Sequence, residues 1–306
     1  MKQWIAFWLL GVIWGSSFLL IKIGVEELQV FQLVSIRLLV AGSLFGLYLL
    51  IAGYKLPAWR DLLAIVFVGF FNVALPFSLI TRAEQSIDSS LATILNSTVP
   101  LFSLVIAHFF LGDDRLTRYR ILGLLIGYVG VMVLVSRGLE DAENSPVSGQ
   151  LMMLGAVICY SVAIIFIRAR LRHVQPILVA GLSLVAGAGF VVPIGLVTEG
   201  IPVFSTLQTD TIAAIMLLGT VNTVIAYFLF YHLIAEWGAR ATMVTYVFPP
   251  VGISLGALFL GEAVDERLIL GSLLILAGIF VVNIKRRAAG RVTIAAVPPR
   301  PQAHKG

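Results

Sequence analysis

Ten long apolar runs, separated by short polar segments, constrain this sequence more than any other feature. A helix of about 20 apolar residues crosses a bilayer core, so ten such helices use about 200 of the residues. Hydrophobic residues make up 59% of the 306-residue chain and charged residues 12%, whereas an ordinary soluble domain is about 25% charged. The chain is therefore predicted to be an all-α polytopic membrane protein with no separate soluble domain.

The limits of the ten runs follow from apolar periodicity and from the charged residues that bound them. The predicted helices are residues 4–24, 31–51, 62–81, 89–111, 121–136, 149–167, 176–197, 211–231, 241–260 and 268–284. The first run is longer than a signal-peptide core and lacks a clear small-residue cleavage site, so we expect it to remain as a helix.

The basic residues predict how these helices are oriented. If the N-terminus is cytoplasmic, 16 of the 21 Lys and Arg residues fall in cytoplasmic segments or tails. The positive-inside rule then favours an even number of spans with both termini in the cytoplasm. Short loops without an organelle address indicate a multi-pass protein of a bacterial inner (plasma) membrane.

The two halves of the chain carry the same landmarks in the same order, which indicates a duplication. The matched landmarks are Gly69 and Asn72 with Gly219 and Asn222, Ala83-Glu84 with Ala235-Glu236, Pro100 with Pro249, Leu111-Gly112-Asp113 with Leu260-Gly261-Glu262, and Gly123 and Gly130 with Gly271 and Gly278. Because each half holds five helices, the second half enters the membrane from the opposite side, and such inverted repeats are typical of secondary transporters. We expect a first repeat at residues 1–137, a periplasmic linker at 138–148, a second repeat at 149–284, and a disordered basic cytoplasmic tail at 285–306.

Short motifs in both halves carry a resemblance to a known family. They are Trp14-Gly-Ser-Ser-Phe18, Arg37, Pro100 with Leu111-Gly112-Asp113, Tyr227 with Glu236-Trp-Gly-Ala-Arg240, Pro249-Pro250, and Phe259-Leu-Gly-Glu262. As a set they resemble the EamA family of the drug/metabolite transporter (DMT) superfamily, whose members have ten helices in two EamA repeats. The resemblance implies export of amino acids or related metabolites most often, with import and drug efflux known in relatives. Val99 and Phe248 stand where the repeat usually carries an acidic residue, so a mechanism that uses that carboxylate is not expected here.

Polar side chains inside the predicted helices are the candidates for binding a solute, because a carrier must replace part of a solute's hydration. Asn72 and Asn222 occupy equivalent repeat positions, and an amide offers two donors and two acceptor sites that suit a zwitterionic or amide-bearing solute. Interhelical hydrogen bonding is the alternative for both. The predicted substrate-binding residues are Trp14, Ser17, Asn72, Asn96, Tyr160, Ser161, Asn222, Tyr227 and Tyr246.

Prolines interrupt the fourth and ninth predicted helices at equivalent places. Pro100, Pro249 and Pro250 lack the backbone donor that a continuous helix needs, and polar residues lie within the preceding turn in both halves. Discontinuous helices at corresponding positions point to a transporter site, so these three prolines are predicted hinges. The alternative is that Ser or Thr side chains satisfy the freed carbonyls and the prolines are merely tolerated.

Arg37 lies inside the second predicted helix, where an isolated cation costs roughly 2.5 to 3.5 kcal/mol at the bilayer centre. Glu84 or Asp88 is the expected partner in a structural ion pair, with binding of a substrate carboxylate as the alternative. No Asp or Glu falls in the middle of a predicted span. This favours facilitative or exchange-driven transport, with His108 as the alternative route for a proton.

The remaining features limit the class of function. The single cysteine, Cys159, excludes an internal disulfide and a zinc site built on several thiolates, and none of the common catalytic motifs is present. We expect no enzyme activity, no metal and no cofactor.

The predicted function is secondary transport of a small organic solute, an amino acid or related amphipathic metabolite, by alternating access and in the export direction. A lipid or drug translocator of the same fold is the alternative, followed by a channel or sensor. The expected partners are a small-molecule solute and the lipid bilayer, not nucleic acid, and the protein is expected to be a monomer or a homodimer.

Overall fold

The computed structural model describes residues 2–111, 116–139 and 146–283. Ten helices in it are long and apolar enough to cross a bilayer: α1 Lys2–Gly24, α2 Val30–Ile51, α3 Trp59–Ala83, α4 Ser89–Phe110, α5 Arg118–Ser136, α6 Val147–Arg170, α7 Pro176–Thr198, α8 Thr209–Trp237, α9 Ala241–Phe259 and α10 Glu266–Asn283. The prediction of ten spans is confirmed. The predicted tail at 285–306 and the landmark Gly112-Asp113 lie outside the described residues.

The largest difference from the predicted limits is at the end of α8. The apolar run ends at Tyr231, but the helix continues to Trp237 through a more polar stretch. Gly238 then adopts a φ of 57°, a left-handed conformation that glycine reaches without steric cost and that ends helices. The backbone conformation of the glycine therefore sets the end of the helix, and the end predicted from the apolar run was too early.

The outer surface of the helix bundle is strongly apolar. Leu50, Val197 and Leu258 keep 79%, 86% and 79% of their surface exposed. A soluble protein rarely exposes contiguous apolar surface on this scale, whereas lipid tails solvate it at no cost. The exposed apolar side chains therefore agree with a protein that lies in a bilayer.

Helices α5 and α10 pack against each other through the glycines of the repeat. A Cβ added at Gly123 would lie 2.7 Å from the carbonyl oxygen of Gly278, and one added at Gly130 would lie 2.8 Å from that of Gly271. The repeat equates Gly123 with Gly271 and Gly130 with Gly278, so exchanging the halves converts one contact into the other. The two halves are therefore related by the two-fold symmetry of an inverted repeat.

The same symmetry relates α3 and α8. Gly69 packs closely on α7 and Gly219 packs closely on α2. Each glycine is followed by a π-helical turn, Phe70–Ala74 in α3 and Thr220–Ile225 in α8. Such turns are rare and occur mostly at functional sites. They bring the equivalent residues Asn72 and Asn222 to corresponding places in the two halves.

Helices α4 and α9 are both discontinuous at the predicted prolines. In α4, the segment Ser89–Asn96 is separated by a two-residue turn from Val99–Phe110, which has Pro100 in its first turn. A 3-10 segment, Gly238–Tyr246, begins just before α9 and leads into its α-helical segment Phe248–Phe259. The hydroxyls of the turn in α4 donate to carbonyls three residues earlier, so side chains satisfy part of the interrupted backbone. A hinge role for the prolines remains a prediction.

Candidate functional site

The centre of the candidate site is the guanidinium group of Arg37 on α2, a residue that is only 7% exposed. Its Nε donates a hydrogen bond of 3.2 Å to the Thr223 hydroxyl, which in turn donates one of 2.7 Å to the carbonyl oxygen of Leu218. Its Cζ atom lies 4.0 Å from the centroid of the Phe77 ring, a distance at which a cation is attracted to the face of an aromatic ring. The π-helical turn of α8, which contains Thr223, therefore anchors Arg37 from the opposite half of the molecule.

The expected ion pair between Arg37 and Glu84 is not formed. Both carboxylate oxygens of Glu84 are buried without a hydrogen-bond partner among the described residues. Among those residues, Arg37 uses only Nε as a hydrogen-bond donor. The N–H groups of its two Nη atoms therefore stay free to donate, and such a pair of donors recognises a carboxylate in a bidentate manner.

Predicted site residues surround this cation. Tyr160 on α6 and Tyr227 on α8 are close enough to Arg37 to interact with it electrostatically. Asn72 lies near the Tyr227 hydroxyl, and its side chain is half-buried. The structure therefore brings together a cation, two phenol groups and an amide from four helices of both repeats.

An aromatic row connects this cluster to α1. It consists of Tyr227, Tyr231, Phe230 and Trp14, whose successive ring centroids are 6.1, 5.9 and 5.1 Å apart. Trp14 is half-buried and packs on Phe230. A solute with an apolar part could therefore lie along aromatic rings while its polar end reaches Arg37.

Asn222 differs from its repeat counterpart Asn72. It is 4% exposed, and its amide nitrogen lies 3.0 Å from the hydroxyls of both Ser16 and Ser17 and also donates to the carbonyl of Ile13. These contacts link α8 to α1, so the geometry favours interhelical hydrogen bonding for Asn222 and Ser17. Their binding of a solute remains a prediction without a contact to support it.

Three other predicted residues, Ser161, Tyr246 and Asn96, form contacts that do not involve Arg37. The Ser161 hydroxyl is 2.8 Å from the carbonyl of Val157 and 3.2 Å from that of Val99, at the break in α4. The Tyr246 hydroxyl accepts a hydrogen bond of 3.1 Å from Asn283 on α10. The Asn96 side chain is half-buried, and its carbonyl oxygen has no hydrogen-bond partner among the described residues, so this acceptor is left for a ligand.

Sequence reasoning missed four residues of the site. Phe77, Thr223, Phe230 and Tyr231 contact or extend the predicted set. The aromatic spacing from Tyr227 to Tyr231, one helical turn, was a readable signal. The π-helical turn that aims Thr223 at Arg37 has no sequence signature.

At one end of the bundle, which we call the Lys22 end, α1 ends, α3 turns into α4, and α9 connects to α10. The Lys22 ammonium donates to the carbonyls of Glu84 at 2.7 Å and Ile87 at 2.8 Å. The Glu262 carboxylate accepts from the backbone amides of Ser89 at 2.7 Å and Ser90 at 2.9 Å. Helix α1 and the connection after α9 are therefore both fastened to the start of α4.

A cleft of about 380 Å³ opens at the Lys22 end. Its lining residues are Lys22, Glu26, Asp88, Leu260, Gly261, Glu262 and Ala263. Glu84, whose backbone carbonyl accepts a hydrogen bond from the cleft residue Lys22, is fully buried. Burial raises the pKa of the Glu84 carboxyl well above its usual range; Glu262 adds to the effect, and Lys22 and Arg37 oppose it.

Ten helices in two inverted repeats, with polar groups buried between the halves, define the architecture of a secondary transporter. The EamA-like transporter family model matches residues 2–136 and 147–284. The chain belongs to this family of membrane transporters, and the resemblance found in its motifs is confirmed.

Similar proteins and a similar solved structure agree with this family assignment. The inner membrane transporter YedA of Escherichia coli (strain K12) is 30% identical over 85% of this chain and 84% of its own. A protein of Streptantibioticus cattleyicolor named "Probable terminal-alkyne amino-acid exporter" is 27% identical over 94% of this chain and 95% of its own. A solved crystal structure with 19% identity covers 94% of this chain and 99% of its own with a TM-score of 0.65, which supports the fold. The chain is therefore a multi-pass protein of the inner-membrane transporter type.

Proposed function

We propose that the protein exports amino acids, or related amphipathic metabolites that carry a carboxylate, by alternating access between its two repeats. The observation that carries the proposal is the Arg37 guanidinium. It is buried inside the membrane-spanning region, and no carboxylate contacts it among the described residues. A buried cation without a counter-ion is costly, and a solute carboxylate would supply the missing charge.

The neighbours of Arg37 suit the rest of such a solute. Tyr227 and Asn72 offer hydroxyl and amide groups for an ammonium or amide, and the aromatic row offers a surface for an apolar side chain. The name of the Streptantibioticus cattleyicolor relative also refers to amino-acid export. Together these features favour a zwitterionic solute with an apolar part over a sugar or an inorganic ion.

The breaks in the helices support alternating access. The π-helical turns in α3 and α8 and the interruptions in α4 and α9 occur in pairs related by the repeat. Two pseudo-symmetric halves can then rock around the cluster at their interface. In the predicted topology the Lys22 end faces the outside, and its fastened contacts correspond to a state closed on that side.

Counterflow in proteoliposomes tests the proposal. Vesicles preloaded in turn with amino acids, nucleosides and sugars are expected to show saturable exchange for amino acids. The exchange should be lost in Arg37→Gln and retained in the matched control Arg82→Gln, which removes an exposed cation at the end of α3 that pairs with Gln85.

Two outcomes would contradict the proposal. Exchange of amino acids that is unaffected by Arg37→Gln would exclude Arg37 as the carboxylate site. No exchange with any solute would favour the lipid or drug translocator. Efflux from preloaded cells that express the protein, compared with uptake, determines the direction.

A further inference from the structure

Glu84 is the one acidic side chain in the described part of the chain whose two carboxylate oxygens are both buried without a partner. Among the described residues, eight buried side-chain oxygens have no hydrogen-bond partner, and four of them lie between residues 81 and 89. An ionised carboxylate in such a place has lost its hydration and gained no donors, which costs several kcal/mol. A neutral carboxylic acid loses far less when it is buried.

Lys22 offsets only part of this cost, because it attracts the Glu84 carboxylate through space without bonding to it. Its ammonium group donates to the backbone carbonyls of Glu84 and Ile87 rather than to the Glu84 carboxylate. The contact holds α1 on the turn that contains Glu84, and the Glu262 carboxylate holds the next residues of the same turn. We expect an opening of the Lys22 end to break these contacts and to give water access to the turn and its buried carboxyl.

From this geometry we propose that Glu84 is a proton-binding site of the transporter, which holds a proton while the Lys22 end is closed and releases it when that end opens. The inference deepens the proposed function, because it makes the proton the ion whose movement accompanies the solute. It departs from the expectation of facilitative or exchange-driven transport, because the carboxyl that it uses lies just beyond the end of α3 and not in the middle of a span.

The charged groups around Glu84 come from several of the elements near it. Lys22 faces it from α1, Arg37 from α2 and Glu262 from the connection after α9, while Asp88 lies on the same turn and lines the cleft. Helix α6 approaches this turn at Gly149, whose added Cβ would meet Ser86 and Ile87; the next residue, Gln150, is uncharged and buried, and the first titratable side chain within α6 is Cys159.

These surroundings fix the sign of the pH effect. The closed state, in which burial raises the pKa of Glu84, binds the proton more tightly than the open state. Protons therefore favour closure; this preference is complete below the ordinary glutamate pKa and is lost as the pH rises through the raised value. A pH increase should open the Lys22 end, and Glu84→Gln, which is always neutral, should not respond.

Infrared difference spectroscopy of the purified protein in lipid tests for the bound proton without any solute. At neutral pH the carbonyl stretch of a protonated carboxylic acid is expected in the wild type and in the matched control Glu26→Gln, whose exposed carboxylate lies in the same cleft. It should be missing in Glu84→Gln. A wild-type protein without this band, or a Glu84→Gln variant that keeps it, would overturn the proposal.

Thiol labelling tests the coupling to opening. In a Cys159→Ala background, Ile87→Cys places a thiol at a position that is 3% exposed, and Ser86→Cys places one at an exposed neighbouring position. The ratio of their labelling rates cancels the pH dependence of thiol ionisation. It should rise with pH by up to about tenfold per unit, the limit for one proton, and should be flat in Glu84→Gln.

A second buried cysteine tests whether the Ile87→Cys substitution itself loosens the packing at the Lys22 end. Leu91→Cys on α4 is buried at 4% exposure and should give the same pH-dependent ratio. Flat ratios for both reporters, or an equal rise in Glu84→Gln, would refute the coupling. Because both measurements run without solute, they fail independently of the counterflow experiment.

Discussion

Gly278 on α10 provides a stringent test of the packing between the two repeats. A Cβ added there would lie 2.6 Å from the carbonyl oxygen of Gly123, 2.6 Å from the amide nitrogen of Gly127 and 2.7 Å from its Cα. All three atoms belong to the backbone of α5, so no side-chain rotation can relieve the overlap. Helices α5 and α10 must separate by about 0.8 Å to restore ordinary contact, which weakens the dispersion attraction along their interface.

The expected cost of Gly278→Ala follows from two opposing terms. Overpacking costs about 1 to 3 kcal/mol, and replacing glycine by alanine in a helix returns up to about 1 kcal/mol. Because the obstructing atoms are backbone, the cost lies in the upper part of its range. We expect the free energy of unfolding to fall by about 1 to 2 kcal/mol.

Reversible unfolding in mixed detergent micelles measures this difference. Gly189→Ala on α7 is the matched control, because a Cβ there meets no atom within 4 Å, and it should be neutral or slightly stabilising. Gly271→Ala should cost less than Gly278→Ala, since its two closest obstacles are side-chain atoms of Leu134. Equal stability of Gly278→Ala and Gly189→Ala would show that the helices do not approach as described.

Three further predictions concern the candidate site. Thr223→Val removes the acceptor of the Arg37 Nε, and a hydrogen bond to a charged group contributes about 1.5 to 3 kcal/mol. Its loss should weaken solute binding in counterflow about tenfold or more. The control Thr220→Val should bind solute normally, because the Thr220 hydroxyl donates only to a carbonyl of its own helix. Asn222→Ala should lower thermal stability by removing the link to α1, whereas Asn72→Ala should reduce counterflow with little change in stability; the reverse pattern would contradict the roles assigned to them. Glu262→Gln should weaken the cap on α4 and speed amide hydrogen exchange at the start of that helix, and unchanged exchange would show that the cap does not hold it.

The site was only partly predictable, and Arg37 shows why. Its need for a partner could be read from its position in an apolar run, but the partner depends on which side chains the fold brings near it. Thr223 reaches it through a π-helical turn in the other repeat. Phe77 lies under it, while Glu84, the partner suggested by position along the chain, forms no hydrogen bond with it.

The two asparagines make the same point. The repeat makes Asn72 and Asn222 equivalent in sequence. Of the two, however, only Asn222 donates its amide N–H groups to the hydroxyls of Ser16 and Ser17. Symmetry of position therefore does not imply symmetry of contacts, because each repeat packs against different side chains of the other.

The sequence by itself determined the ten spans, the inverted repeat and the transporter family. These depend on local composition and on order along the chain: about 20 apolar residues cross a bilayer wherever they occur, and matched landmarks survive in a linear comparison. Only the tertiary structure decided the pairing of Gly123 with Gly278, the unpaired state of Arg37 and the burial of Glu84. Those properties depend on which distant groups meet, and the free energy of a buried charge is set by its neighbours in space rather than by its neighbours in sequence.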